Sequence, residues 1–186
     1  MPRQLLRDGL LVADDWQYLT ELESVAGATP AGGDLAAPGA AVAGLIVPFT
    51  RWKAERDRWA AHRGRLGVVL LPADKVEELA PDVPRLQLIA AEFPGPTDGR
   101  GYTQGRLLRE RYHFKAELRA AGYVRRDQLF LLARCGFNSF QLAAHDLPGA
   151  ATALSTFSAE YQPSNDAGLP RVLGHRSKPV SPPSRH

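Results

Sequence analysis

With 186 residues, of which 44% are hydrophobic and 23% charged, and a net charge of +3, the chain has the makeup of one globular domain with extensions, which excludes wholesale disorder and fibrous classes. The positive excess is local: residues 98–136 hold nine Arg and Lys against four Asp and Glu, while the rest is slightly acidic, and such a segment attracts an anionic ligand, nucleic acid or an acidic partner, among which charge alone does not choose. Cys135 is the single cysteine, which excludes internal disulfides and zinc sites built on Cys pairs, and no stretch approaches the ~20 apolar residues of a membrane span, so a soluble, cytoplasmic protein is expected.

In chain order, Gln4-Leu5-Leu6-Arg7 and Leu10-Leu11-Val12-Ala13 flank Asp8-Gly9, predicting a short N-terminal hairpin. "DDWQYLTELESV" reads as a short helix capped by Asp14 or Asp15, and the Gly, Ala and Pro of "AGATPAGGDLAAPGAAVAG" as a flexible connection. From Gly44 onward, short apolar runs ("GLIVPF", "LGVVLLP", "LQLIAAEF", "ELRAAG", "FNSFQLAA") alternate with helical patterns ("RWKAERDRWAAHRG", "ADKVEELAPDV", "YTQGRLLRERY", "VRRDQLFLLARCG"). Such alternation is the mark of β-α-β crossovers. It predicts a single α/β domain over residues 1–150, with a mainly parallel sheet of about five strands, open or barrel-like, flanked by helices. Residues 151–186 read as a C-terminal extension with a short helix through Ala153 to Tyr161, ending in a proline-rich, cationic stretch of ~10 residues expected to be disordered.

The candidate site is "DGRGYTQGRLLRER", which follows the strand "LQLIAAEF". In α/β sheets and barrels, ligands bind beyond the carboxyl ends of strands. There Gly99 and Gly101 would present backbone N–H groups, Thr103 would cap the helix, Asp98 would shape the turn and Arg100 would offer a forked pair of hydrogen bonds to a sulfur or phosphorus oxyanion. The competing account is purely structural: two turn-forming glycines, a capping Asp98 and a solvated arginine face. Gly99-x-Gly101-x-x-x-Gly105 also approximates a dinucleotide fingerprint, one residue too long, with Glu117 spaced to meet a ribose.

Glu117 and Arg119 share one face of the strand "ELRAAG". Either they are satisfied structurally, by each other or by Arg126 and Asp127, or Arg119 joins Arg100 around a ligand with Glu117 orienting it. Glu92, near a strand end, is a spare carboxylate able to act as acid or base. Cys135 falls on the apolar face of its helix, where a structural thiol is expected. His62, His113, His145, His175 and His186 show no metal spacing, and neither a Walker loop nor a G-x-S-x-G elbow occurs. Nucleic acid is not an expected partner, because the basic segment lacks interleaved aromatics.

Taken together, "DDWQYL", "VPFTRW", "LGVVLLPADKVEELAPDV", "IAAEFPGPTDGRGYTQGRLLRER", "ELRAAGYVRRDQL" and "RCGFNSFQL" resemble the bacterial domain of unknown function 934 over residues 5–142. The resemblance implies a role in assimilatory sulfite reduction, the route from sulfate to cysteine, because members are typically encoded beside sulfite reductase and adenylyl-sulfate reductase and are often labelled oxidoreductases. It carries over no catalytic residue. The chain departs from the family pattern at Tyr123, where Asp is usual, at Arg125, where Leu is usual, and at His113 and Ala116, where Gly is usual. Three expectations follow: an accessory protein binding a sulfur oxyanion or the reductase, a nicotinamide-dependent oxidoreductase of the same pathway, or a ligand-free scaffold docking another sulfate-assimilation enzyme through the basic helix face from Arg106 to Arg111.

Overall fold

Asp8 and Gly9 both adopt positive φ, 50° and 80°, the left-handed pair that a two-residue hairpin turn requires. They turn β1 (Gln4–Arg7) into β2 (Leu10–Ala13), with Gln4 opposite Ala13 and Arg7 opposite Leu10. The computed structural model describes residues 4–19 and 44–155. After β2 the chain passes Asp14-Asp15 into β3 (Trp16–Tyr18), which lies parallel to β4 (Gly44–Pro48). Next come β5 (Leu66–Leu70), β6 (Leu88–Phe93), β7 (Glu117–Gly122) and the two-residue β8 (Ser139–Phe140).

All eight strands form one sheet in the order β2-β1-β8-β7-β6-β5-β4-β3, with β3 to β8 parallel and β1 antiparallel to both its neighbours. The two edge strands, β2 and β3, are only two residues apart in the chain, so the sheet curls into a half-barrel. β2 and β3 run in the same direction. Leu10–Tyr18 is thus one extended segment that gives its first half to β1 and its second half to β4.

The α/β class and the single sheet agree with expectation, and the five anticipated strands correspond to β4 through β8. Two expectations are corrected. The sheet is mixed and eight-stranded, because the N-terminal hairpin joins its edge through Leu6 opposite Phe140 and Arg7 opposite Ser139. Trp16–Tyr18 is a strand, not a helix: Trp16 and Tyr18 alternate onto the inner face, a period-two pattern suited to large aromatics. The remainder of that expected helix, the glycine-rich connection and the tail lie outside the described residues.

The sheet's two faces differ in kind. Its outer face, including Val47, Val68, Leu70, Ile89 and Leu118, packs under α1 (Phe49–Ala54), α2 (Arg56–Ala61), α3 (Val76–Leu79), α4 (Arg100–Glu110), α5 (Leu129–Arg134) and α6 (Ala150–Ser155). The anticipated long helix after β4 is split at Glu55 (φ −120°), whose carboxylate takes both Arg51 and Arg58. Trp52 and Trp59, one from each half, stack at 6.5 Å, and the Trp52 indole donates to Asp82 at 2.8 Å. Ala150 and Leu154 of α6 lie in this core, so the domain runs past residue 150. Inside the curl lies a smaller apolar cluster of Trp16, Ile46, Val69, Leu88 and Ala90. Among the described residues no helix is long and apolar enough to cross a membrane.

His113 has φ 51°, a left-handed conformation in the turn between α4 and β7. For a residue with a Cβ this costs about 1–2 kcal/mol, a cost glycine avoids. His113→Gly is therefore expected to raise the unfolding free energy by about 1 kcal/mol in urea denaturation.

Candidate functional site

The parallel strands all end on one rim of the half-barrel, and "DGRG" stands there, between β6 and α4. Helix α4 begins at Arg100 with Gly99 as N-cap, so the exposed Thr103 lies inside the first turn and caps nothing. Asp98 accepts from the Arg100 backbone N–H at 3.2 Å and from its guanidinium Nε and Nη2 at 3.0 and 2.6 Å. That contact holds the Asp98 carboxyl below the usual carboxylate range. The position an incoming anion would take at this helix end is thus shared with the protein's own carboxylate. The Arg100 side chain stays 61% exposed.

Gly101 and Gly105 face inward from α4, and a Cβ at either would run into the ring of Phe93 or of Phe137 respectively. Their spacing of four residues puts them on one helical stripe. They let the helix backbone settle onto the outer face of the sheet, which removes the geometric basis for a dinucleotide cradle. Gln104, between them, donates to the carbonyls of Leu71 and Asp74 at 2.8 and 3.0 Å and ties α4 to the loop after β5.

Arg119 does not join Arg100. It is fully buried on the inner face, where Nη1 and Nη2 bond the two oxygens of Asp14 at 3.0 Å each, while Nε and Nη2 bond Glu117 at 3.1 and 2.8 Å. The other Glu117 oxygen accepts from Arg7 at 3.3 Å, and Asp15, next to Asp14, pairs with Arg65 at 2.9 Å. Burial raises the Asp15 carboxyl, but Arg65 and Arg7 outweigh it and hold the group below its ordinary range. Asp14, Glu117 and Arg119 therefore serve as internal counter-ions at the end of the half-barrel where the parallel strands begin. Glu117 meets Arg7, a partner not anticipated; Arg126 instead donates to the Pro148 carbonyl at 3.0 Å.

The basic stripe of α4 is largely engaged by internal partners. Arg106 pairs with Glu110, Arg111 stacks on Tyr112, and Arg109 turns inward to the carbonyls of Gly136, Phe114 and Ala116 and to Asn138 Oδ1. Burial pulls the Arg109 pKa down to about 10. Cys135 caps α5, and burial pushes its thiol up, against the pull of Arg106 and Arg134.

On the rim itself, three inward-facing polar residues escape those networks. Glu92 on β6 is half-buried, with no side-chain partner among the described residues. Gln141, just past β8, accepts from the Tyr18 hydroxyl at 3.2 Å across the gap between the sheet edges. Tyr18 was hidden inside an expected helix, and Gln141 carried no motif. Leu71 and Tyr123, at the ends of β5 and β7, are 46% and 38% exposed. Among the described residues no group of three or more His, Cys, Asp or Glu could hold a metal ion.

Residues 67–172 match a family described as bacterial protein of unknown function, DUF934. The chain belongs to this family. No curated protein and no solved structure matches it. The DUF934 segments noted in the sequence now have places in the fold. Gly136 ends α5 at φ 98°, where a Cβ would strike the Arg109 side chain. Asn138 accepts from Leu118 N–H at 2.8 Å and donates to Asp8 at 3.1 Å. "LLRER" and "RCGFNSF" thus lock α4, β7, β8 and the hairpin turn together. Arg125 donates to the Tyr123 hydroxyl at 3.3 Å on the rim.

Two stability outcomes are expected. Gly105→Ala should cost about 1–3 kcal/mol through overpacking against Phe137, read by chemical denaturation. Arg119→Ala, which leaves Asp14 and Glu117 without their main counter-ion, should cost about 3–5 kcal/mol and give largely unfolded or insoluble protein; a well-folded variant with unchanged melting temperature would contradict the structural role.

Proposed function

We propose that the protein is an accessory component of assimilatory sulfite reduction that acts by recognition, binding a sulfur oxyanion at the strand-end rim. The observation that carries this is the Arg100 guanidinium, exposed at a helix start beyond the end of β6 and oriented by Asp98 through Nε and Nη2. Nη1 remains available for a charge-assisted bond. The pathway comes from the family resemblance. Recognition is favoured over redox chemistry of the chain's own because the groups suggesting redox chemistry are withdrawn: Cys135 is buried with its thiol pushed up, and Gly101 and Gly105 pack against rings.

A second reading, docking on the reductase, is favoured by Leu71 and Tyr123, large exposed side chains at the same rim. The α4 face offers less for such docking than its arginines suggested, since Arg106 is paired with Glu110 and Arg109 is turned inward onto backbone carbonyls.

Thermal shift with sulfite, sulfate, phosphate, adenylyl sulfate, NADH and NADPH tests both. A ligand at ~100 times its dissociation constant adds about 2.7 kcal/mol. Sulfite is expected to raise the midpoint while phosphate does not. Arg100→Ala should abolish the shift without altering the unliganded midpoint, because among the described residues Arg100 bonds only the neighbouring Asp98. A shift with NADPH alone would favour the oxidoreductase. Silence from every ligand, with co-elution of the reductase at low salt, would favour docking.

A further inference from the structure

We propose that the end of the half-barrel where the parallel strands begin is a docking surface for an acidic, leucine-bearing segment of another protein, opposite the Arg100 rim and independent of any ligand there. The connections that lead into β5, β6 and β7 (62–65, 80–87 and 111–116) carry Arg63, Arg65, Arg85, Arg111 and Lys115, all exposed, against one acid, Asp82. Asp82 is buried and accepts from the Trp52 indole, so it offers little to a partner. The connections that leave the same strands (71–75, 94–99 and 123–128) hold Lys75, Arg125 and Arg126 against Asp74, Asp98 and Asp127. Loop charge is therefore segregated along the strand axis, balanced where the strands end and positive where they begin.

This end is closed rather than hollow. Asp15 pairs with Arg65 at 2.9 Å and stands 3.9 Å from Arg7, and the Arg65 guanidinium lies over the Trp16 ring at 4.5 Å. Groups from β1, β3 and the entry to β5 thus meet across the mouth of the curl. Around this plug, Arg63 and Lys115 have no partner among the described residues. They enter β5 and β7, two strand spacings apart, and so flank Arg85 across ~10 Å of backbone. The hairpin turn reaches the same end and is followed by Leu10, which lies opposite Arg7, and by Leu11; the two are 68% and 50% exposed. An arc of cations therefore runs beside an uncovered apolar pair.

The mixture of groups selects the partner. Complementary charge steers an acidic surface to this end and turns a basic one away, and a guanidinium fork matches a carboxylate in two hydrogen bonds. Single-stranded nucleic acid needs exposed rings on which bases stack; here Trp16 is buried beneath Arg65, and the exposed Asp8 of the hairpin turn faces solvent beside the cations. An anionic lipid surface is met by an unbroken basic cluster, which Asp8 and Asp15 interrupt. A protein segment with carboxylates for Arg63 and Lys115 and an apolar side chain for Leu10 uses every group present, in the usual arrangement of an apolar contact edged by charge.

Fluorescence anisotropy of a labelled synthetic Glu-Leu peptide titrated with the full chain tests this, with single-stranded DNA and phosphatidylserine vesicles as the rival probes. Saturable binding at low salt is expected, lost in 1 M salt, where exposed charges are screened within about 3 Å. Arg63→Glu combined with Lys115→Glu should weaken it about tenfold or more. The neutral pair Arg63→Gln and Lys115→Gln should weaken it less, and Leu10→Ser should weaken it by loss of the apolar contact. Both charge variants should melt with the wild type, because neither side chain has a partner to lose. The proposal is overturned if the peptide does not bind saturably, if the reversed and neutral pairs bind it as well as wild type, if Arg100→Ala weakens it as much as they do, or if DNA or vesicles bind more tightly than the peptide. Because sulfite reports on the Arg100 rim, failure here is distinguishable from failure there.

Discussion

The fork of hydrogen bonds from Arg119 to Asp14 and Glu117 holds the curl of the sheet together. Asp14 sits at the bend of the Leu10–Tyr18 segment, and Arg119 is in β7, in the middle of the sheet. Linking them pulls that segment across the inner face so that it serves β1 on one side and β4 on the other. Buried ion pairs contribute little net stability compared with well-packed apolar groups. What this one supplies is register: a one-residue slip of β2–β3 would turn Asp14 away from Arg119 and leave charges buried alone. Arg7, Arg65 and Asp15 extend the same compensation to the hairpin and to the start of β5.

Arg109 performs the matching task on the outer face with a different chemistry. It has no carboxylate in contact, and its guanidinium is spread over backbone carbonyls from two loops and the Asn138 amide oxygen. Those carbonyls belong to the approach to β7 and the end of α5, which the sheet ladder does not satisfy. One half-buried cation thus ties the approach to β7 to the end of α5. Because Asn138 also reaches Asp8, the hairpin turn is tied to the same point.

The strands after Gly44 were legible in the sequence because each is a run of apolar residues bounded by turns, and a fully parallel arrangement buries both faces. β3 was not, since three residues are too few to establish a period and Asp14-Asp15 imitates a helix cap. The glycines of α4 misled for a related reason. Gly101 and Gly105 carry the same letters as a phosphate loop, and only the positions of Phe93 and Phe137 on neighbouring strands show that they make room for rings. Glu117 and Arg119 were correctly paired with each other, but Asp14 and Arg7, more than a hundred residues away in the chain, could not be seen from a local window.

The same limit governs the charge count over residues 98–136. Nine cations against four anions suggests a basic surface, yet Arg119 is matched by Asp14, Arg125 reaches Asp146 at 3.5 Å, and Arg109 and Arg126 are spent on backbone oxygens. Compensating groups lie outside the window or are not charges at all. At the rim, Arg100 is held by Asp98 on the outside with its Nη1 unbonded among the described residues, and on the inside the Glu92 carboxylate has no partner among them. The buried charges of the inner face are thus paired with one another where the strands begin, while the exposed Arg100 lies where they end.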